Sequence, residues 1–413
     1  MLVAGRYRLK EEVGRGGFGV VWSARDTERN MDVALKYPNY DGRADDDLVD
    51  KYFRREFDVL EDIQKAGGHP NIMSFHRKVS EFGMDFLVLE LIEAEEIGEV
   101  VRNEDPITDP EEVRRIGIGI CDALSFLHDH DIIYRDLKPD NIMVGRDRTP
   151  KIIDFTTARG YVSEKEDQTF TTSHPADGSS GSRRDSTVPG AFNPPELNSG
   201  ATQRQGPWSD VYSVGKLLCF LMVGWVPDDD GVSPSDFGVD TEPYLNEIIE
   251  TATQHERTSR YPNASVLETA LEERDPTMPV QAALEWLGRD ETWTISPGDT
   301  IGRHVPDGPR PSIVLDDSRH RALSAAHCRF DIDTQGNWTV TDTSLNGTYI
   351  SKREEREWHL LLSPAGRRRQ EREGETIPGE PETGMLLEDG DTIALVSPEY
   401  PERFYFQFRN EAN

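Results

Sequence analysis

Asp136, Lys138 and Asn141 lie together in YRDLKPDNIMV at 134–144, and Asp154 follows in KIIDFTTARG at 151–160. Two carboxylates, an amide and an ammonium at this spacing suit metal-assisted phosphoryl transfer. One aspartate can take the proton of an incoming hydroxyl, the asparagine and the other aspartate can hold magnesium, and the lysine can meet phosphate charge. A second set stands near the N-terminus, where VGRGGFGVVW carries Gly14, Gly16 and Gly19 in GxGxxG spacing, followed by Val21. Glycines let a turn between strands approach a nucleotide so closely that backbone N–H groups reach phosphate oxygens. By itself the spacing fits a plain glycine-rich hairpin equally well.

These residues need elements to carry them. Lys36 ends the alternating segment VALK, which reads as a strand, and the spacing beyond it predicts a helix over about 47–64. Val49, Phe53, Leu60 and Ile63 recur there at helical intervals, and Glu56 falls on the same stripe. A carboxylate on an apolar face requires a partner, which a lysine on a neighbouring strand can supply; the alternative is a carboxylate reaching solvent from the stripe's edge. Ahead of YRDLKPDN, the run TDPEE marks a helix start, with Pro110 suited to the first helical position and Glu112 placed for a capping box. Leu124 and Leu127 lie on that helix's apolar face, and His128 reads as a helix-end residue rather than a base. A short strand hairpin separates Asn141 from Asp154.

In this order and approximate spacing, the glycine loop, VALK, YRDLKPDN and DFT make residues 6–274 resemble the eukaryotic-like Ser/Thr protein kinases. The resemblance implies an α+β fold in two lobes, a small one over about 6–90 and a large one over about 91–274, using ATP with Mg2+ or Mn2+. It implies that Gly14, Gly16, Gly19, Val21, Ala34, Lys36, Glu56, Glu90 and Ile92 surround the nucleotide. Lys36 would hold the α and β phosphates and pair with Glu56; Leu89 would back the adenine pocket, and Glu90 to Ile92 would form the hinge that bonds the purine. Asp136 would be the catalytic base, Lys138 would lie near the γ phosphate, and Asn141 and Asp154 would be the metal ligands. Asp210 in WSDVYSVG would brace the catalytic loop, and Glu196 would pair with Arg260 in the large lobe.

Several positions depart from the family. Thr156 replaces the glycine of the metal-binding triplet, and because the aspartate is present the expected effect is a more restricted loop rather than lost chemistry. Tyr134 stands where histidine is usual, with a mild effect expected. Counting back seven residues from Glu196 reaches Pro189, where the family carries a threonine that bonds the catalytic aspartate and lysine; Thr187 comes two residues too early, so that contact is expected to be rearranged or missing. The segment from Phe155 to Pro195 resembles an activation loop, with Thr169, Thr171, Thr172, Ser179, Ser180, Ser182, Ser186 and Thr187 as candidate phosphosites. Arg135 could receive a phosphate there; a disordered polar insertion is the other reading of the segment.

From Trp293 onward the pattern changes to short alternating strands and turns, which predicts a β-sandwich. Three turns carry polar groups: Gly302 with Arg303, then Ser324 and His327 in LSAAH, then Asn346 and Gly347 in LNGTY. An arginine, a hydroxyl and an amide on loops at one edge make a compact receptor for a phosphate ester, although each taken separately is turn chemistry. In the order GR, SxxH, NG, followed by LLEDGDTI, residues 292–410 resemble the forkhead-associated (FHA) domain. That resemblance implies an all-β sandwich that binds phosphothreonine peptides, with Arg303 and Ser324 on the phosphate, Asn346 on the peptide backbone and His327 ordering the loops. Ala325, at an often basic position, and Leu345, where a small hydroxyl residue is usual, point to modest affinity. Residues 275–291, with QAALEWL as a short helical tail, are expected to be a linker. The low-complexity stretches 163–187 and 352–384 are expected to be mobile loops, and the second, which holds REEREWHLLL and RRR, reads as a solvated loop in preference to a partner-binding helix.

The chain has 413 residues, a net charge of −31 and only ten lysines among its 46 basic residues, which argues against nucleic acid as a partner. Carboxylate-rich, lysine-poor composition is also what a protein dissolved in concentrated salt would carry. No apolar run approaches the roughly 20 residues of a membrane helix, MLVAGRYRLKEEVG lacks the features of a signal peptide, and a cytoplasmic location is expected. Cys121, Cys219 and Cys328 are spaced as reduced core residues. The expected whole is an ATP-dependent Ser/Thr protein kinase whose phosphothreonine reader captures its own phosphorylated loop, that of another copy in transient self-association, or marked protein substrates. The alternative is a nucleotide-binding pseudokinase scaffold whose main activity is phosphopeptide binding.

Overall fold

The computed structural model describes residues 1–42, 44–130, 132–160, 190–198, 205–278, 281–289, 291–295, 297–305, 311–315, 322–333, 336–353, 357–374, 381–400 and 402–409. Among them, 1–160, 190–198, 205–260 and 270–276 form one compact unit, and 261–269 with the residues from 277 onward form a second. The candidate phosphosites Thr169, Thr171, Thr172, Ser179, Ser180, Ser182, Ser186 and Thr187, and Pro189, lie outside the described residues.

The first unit opens with strands β1 (Leu2–Val3), β2 (Tyr7–Arg15), β3 (Gly19–Asp26) and β4 (Met31–Pro38), then helix α1 (Asp46–Lys65), then β5 (Phe75–Glu81) and β6 (Met84–Glu90). The strands make an antiparallel sheet in the order β1-β2-β3-β4-β6-β5. Helix α1 starts where the Asp45 side chain accepts the Asp47 N–H at 3.0 Å, meeting one of the donors that a helix start leaves open. Its buried face holds Val49, Phe53, Glu56, Leu60 and Ile63, so the predicted stripe, carboxylate included, is the face that packs on the sheet.

The large-lobe part follows with β7 (Glu95–Glu96), α2 (Ile97–Glu104), α3 (Pro110–Asp129), β8 (Ile132–Ile133), a 3-10 turn at Pro139–Asn141, β9 (Ile142–Val144), β10 (Pro150–Ile152) and β11 (Arg159–Gly160). After it come α4 (Pro195–Asn198), α5 (Pro207–Val223), α6 (Pro243–Ala252) and α7 (Ala264–Glu273), whose residues up to Thr269 are assigned to the second unit. Pro110 occupies the start of α3 as expected, but the capping box does not form: Asp109 caps Glu111, and Glu112 pairs with Arg148 at 3.0 Å. Every residue of α5 from Trp208 to Met222 is buried, so this helix is the axis of the lobe, and Asp210 near its start is sealed from water.

The second unit is a β-sandwich. Its elements are β12 (Gln281–Trp286), β13 (Thr292–Ile295), β14 (Asp299–Gly302), β15 (Ile313–Val314), β16 (Cys328–Ile332), β17 (Trp338–Asp342), β18 (Thr348–Ser351), β19 (His359–Leu361), α8 (Pro364–Glu373), β20 (Gly384–Leu386), β21 (Thr392–Leu395) and β22 (Arg403–Arg409). One sheet runs β13-β12-β22-β21-β18-β19 and the other β15-β14-β16-β17-β20. Trp286, Trp338, Phe330, Phe404 and Phe406 are buried within it.

Two expectations are corrected here. QAALEWL is not a helical tail in a linker: Gln281–Trp286 is a strand paired to β13 on one side and β22 on the other. Alanine and leucine favour helix locally, but two full hydrogen-bonded ladders and burial of Ala282, Ala283, Leu284 and Trp286 outweigh that preference. Residues 352–384 are likewise not a bare solvated loop, since they contain β19, α8 and the start of β20. Ser363 caps α8 by accepting the Gly366 N–H at 3.0 Å, Pro364 takes the first helical position, and Gly374 ends the helix at φ 73°.

Cys121, Cys219 and Cys328 are buried and form no disulfide among the described residues. Among the described residues no helix is long and apolar enough to cross a membrane.

Candidate active site

Lys36, brought up by β4, donates to Glu56 Oε1 of α1 at 2.7 Å and lies 3.6 Å from Asp154 Oδ1. Burial disfavours the Lys36 ammonium, but Asp154 and Glu56 more than offset that and hold its pKa above the ordinary lysine value. Burial raises the Glu56 carboxyl, with Lys36 opposing. Asp154 is held down at about 2: burial works against its charge, while Lys36 and the Thr156 hydroxyl and N–H favour it. Its side chain keeps 40% of its exposure, so the carboxylate can still be reached from outside.

The glycine hairpin closes over this lysine. Gly16 N–H donates to Gly19 O at 2.9 Å, and Asn39, a buried residue after β4, donates to Gly16 O at 2.8 Å. A Cβ on Gly19 would stand 2.9 Å from Lys36 Cε, so glycine there is what lets the hairpin lie against the lysine. Phe18 at the hairpin tip packs on Tyr52 of α1, ring centroids 4.4 Å apart. Ala34 and Leu89 are paired neighbours in the sheet and buried. The Glu90 carboxylate is engaged by Lys151 at 2.9 Å and the Ser74 N–H at 3.0 Å, leaving the backbone as what this segment can offer a purine.

On the large-lobe side, Asp136 Oδ2 accepts from Lys138 Nζ and from Asn141 Nδ2, both at 3.0 Å. Asn141 Nδ2 also donates to Asp136 O at 2.7 Å, so both its N–H bonds are used and its amide oxygen is what remains to give. Asp136 Oδ1 has no hydrogen-bond partner among the described residues, and burial pushes this carboxyl above its ordinary pKa against the pull of Lys138. The loop is held by Asp210, which accepts from Tyr134 N–H at 2.9 Å and Arg135 N–H at 2.8 Å and bonds His128 Nε2 at 2.9 Å. His128 is thus tied to a buried carboxylate at the helix end and stands apart from the reacting groups. Two of the non-glycine residues with left-handed backbone lie at this site, Arg135 at φ 74° and Asp154 at φ 61°; Arg135 is held by its N–H bond to Asp210 and Asp154 by the Thr156 N–H on its carboxylate, as strained residues at working sites commonly are.

Tyr134 fills the usual histidine position by donating its hydroxyl to Ile153 O at 2.5 Å and meeting Phe155 edge-on, centroids 5.4 Å apart. Thr156 is buried and bonds Asp154 Oδ1 twice, through its N–H at 3.1 Å and through its hydroxyl. Glu196 and Arg260 form a two-pronged buried pair, Nη1 to Oε1 at 3.0 Å and Nη2 to Oε2 at 3.1 Å.

The second unit carries a separate polar cluster. Arg303 Nε donates to Leu323 O at 2.5 Å, and Ser324 Oγ accepts the Leu345 N–H at 3.2 Å, keeping its own proton to give. Asn346 Nδ2 donates to Ala322 O, and its Oδ1 accepts from Arg369 of α8. His327 is fully buried and neutral, with burial lowering its pKa; Nε2 donates to Gly347 O at 2.9 Å and Nδ1 accepts Ser324 N–H at 3.3 Å, which joins the two turns. Gly302 has to be glycine, since a Cβ there would stand 2.2 Å from Ala325 O. Sequence reasoning missed Asn39, which carries no motif, and Arg369, whose helix it took for a loop.

Residues 7–274 match the model of the protein kinase domain, and residues 300–360 match that of the FHA domain. The chain is similar to a probable serine/threonine-protein kinase of Clostridium acetobutylicum, 27% identical over 278 residues that make 64% of this chain and 39% of that protein. It is similar to the serine/threonine-protein kinase PknB of Mycolicibacterium smegmatis, 28% identical over 332 residues, 74% of this chain and 49% of that protein. It is also similar to PrkC of Bacillus subtilis, 27% identical over 227 residues, 55% of this chain and 32% of that protein. The chain spans less than half the length of each of these three relatives.

Proposed function

The chain belongs to the protein kinase family, and from that premise we propose that it transfers the γ-phosphoryl group of ATP, with magnesium, to serine or threonine hydroxyls of proteins, and that its C-terminal domain binds phosphothreonine. The observation that carries the first part is Lys36 held between Glu56 and Asp154, the arrangement in which a lysine is ready for phosphate charge. The donors fit the nucleotide and its metal: a glycine hairpin that a Cβ would obstruct, and the hard oxygens of Asn141 and Asp154. A bound magnesium supplies neutralisation of the charge that builds on the β and γ phosphate oxygens.

The chain's own residues do the rest. Lys36 holds the α and β phosphates and Lys138 faces the γ phosphate. Asp136 Oδ1 takes the proton of the substrate hydroxyl as its oxygen bonds to phosphorus and the bond to the ADP oxygen breaks. Asp210 fixes the backbone that aims Asp136. In the second unit, Arg303 and Ser324 meet the phosphate while Asn346 holds the peptide chain. Protein substrates, the chain's own phosphorylated loop and a second copy are the partners this reading admits, and its use of ATP accords with the cytoplasm.

The test is transfer of labelled γ-phosphate to serine or threonine with magnesium, in dilute and in concentrated salt, alongside binding of a phosphothreonine peptide and its unphosphorylated form. Transfer together with phosphate-dependent binding is expected. Folded protein that binds nucleotide and phosphopeptide but transfers nothing would favour the pseudokinase scaffold.

Thr156 bears on the metal. Its hydroxyl occupies a lone pair of Asp154 Oδ1 that a cation would use. Thr156→Val keeps the shape and removes the hydroxyl, so the magnesium concentration giving half-maximal transfer is expected to fall by roughly three- to tenfold. Thr156→Ser should stay close to the parent, and a magnesium titration of the three proteins checks it.

A further inference from the structure

Helix α8 is built into the peptide-binding edge of the second unit. Ser363 N–H, just before it, donates to the buried Asp342 Oδ2 at 2.7 Å, and Ser363 Oγ donates to Ser344 O. Asp342 Oδ1 in turn accepts from Ser344 at 2.8 Å and Thr348 at 2.7 Å. The helix start and the turn that presents Asn346 therefore share one hydrogen-bonded knot. Farther along, Arg367 donates to Pro381 O at 2.7 Å, which ties the helix to the returning chain.

From this seat, Arg369 Nη1 reaches Asn346 Oδ1. Asn346 Nδ2 meets Ala322 O, and Arg303 Nε meets Leu323 O one residue on. One guanidinium thus reaches the segment Ala322–Ser324 directly, from the end of β14, and the other, from α8, reaches it through the Asn346 amide. Arg369 has a second partner, Glu373, whose carboxylate lies 3.0 Å from its Nε and is half exposed. Exposed ion pairs of that kind hold little energy, so another anion can take the place of Glu373. The helix carries Arg367, Arg368, Arg369 and Arg372 against Glu371 and Glu373, a basic excess in a chain whose net charge is −31.

Resting on the phosphothreonine reading of this domain, we propose that Arg369 makes α8 part of the binding site and receives a second anionic group, a carboxylate or a second phosphate, that flanks the phosphothreonine. The same guanidinium fixes which way the Asn346 amide faces, because Oδ1 takes a donor from Arg369 and Nδ2 gives one to Ala322. Arg369 on the Asn346 amide adds positive charge to a site whose Ala325 position contributes none. The protein's own sequence contains suitable ligands: Glu166 and Asp167 stand close to Thr169, and Thr171 adjoins Thr172.

The experiment uses the full chain and three fluorescent peptides of residues 162–175. One is phosphorylated on Thr169 with Glu164, Glu166 and Asp167 changed to amides; the second keeps those carboxylates; the third has the amides and a second phosphate on Thr171. Arg369→Ala is expected to weaken the first peptide by about twofold at most, through the Asn346 amide it had oriented, and the second and third by roughly five- to tenfold beyond that, with Arg369→Lys recovering most of the additional loss. The second and third peptides tell carboxylate from phosphate. Arg303→Ala should weaken all three. No change with Arg369→Ala, or an equal loss on all three peptides, overturns the inference alone; parent protein that binds none of the peptides overturns the phosphothreonine reading and this inference with it.

Discussion

Asp136→Asn is expected to lower the turnover number for phosphoryl transfer by about 10²- to 10⁴-fold, the usual worth of a positioned base, with nucleotide affinity and thermal stability unchanged. The argument rests on how the two carboxylate oxygens are used. Oδ2 accepts from Lys138 and Asn141; an asparagine oxygen in that place accepts the same two bonds, so the loop keeps its order. Oδ1 lacks a partner among the described residues, and it is this oxygen that becomes an amide nitrogen unable to take a proton. Steady-state rates at saturating ATP and peptide, with calorimetric binding of a non-hydrolysable ATP analogue, separate the two effects. A variant that retains a tenth or more of the parent rate would remove Asp136 from the role of base.

Glu196→Ala is expected to be the most destabilising single change away from the reacting groups, costing the first unit about 3–5 kcal/mol. Arg260 is fully buried and its guanidinium also serves the carbonyls of Gln254 at 2.6 Å and His255 at 2.8 Å. Loss of the carboxylate leaves that charge in the interior without a counter-ion, along with a Ser209 hydroxyl that had donated at 2.8 Å. The midpoint of thermal unfolding should drop by on the order of 10 °C. Glu196→Gln, which keeps the shape and an acceptor, should fall by less. Equal stability of all three proteins in differential scanning calorimetry would contradict the account.

The legible parts of this molecule were those where chemistry or periodicity is written locally. Glu56 could be found because a carboxylate on the Val49–Phe53–Leu60–Ile63 stripe is costly without a cation, and Lys36 was the cation within reach. The order of the motifs carried the kinase-like fold, the short alternating strands after Trp293 carried the sandwich, and three polar turns carried its resemblance to the FHA domain. Gln281–Trp286 was not legible because a strand buried on both faces has no alternation to betray it, and its alanines and leucine speak for helix. Helix α8 escaped for the opposite reason, being so charged that no apolar stripe announced it, although Ser363, Pro364 and Gly374 marked its ends. Asn39 and Arg369 act through partners distant in sequence, Gly16 and Asn346, and no local pattern foretells such contacts.

The pairing of β12 with β22 has a consequence for how the C-terminal domain can be rearranged. In that ladder Gln281 stands opposite Arg409, so the first residue of the first strand faces the last residue of the last strand. The polypeptide therefore enters and leaves the sandwich side by side, and its connectivity is nearly a closed ring. Such a domain tolerates circular permutation, because a short bridge can join its natural ends while a new opening is cut at a loop tip. It can equally be spliced into a loop of another protein without stretching its host, a portable cartridge rather than a tail.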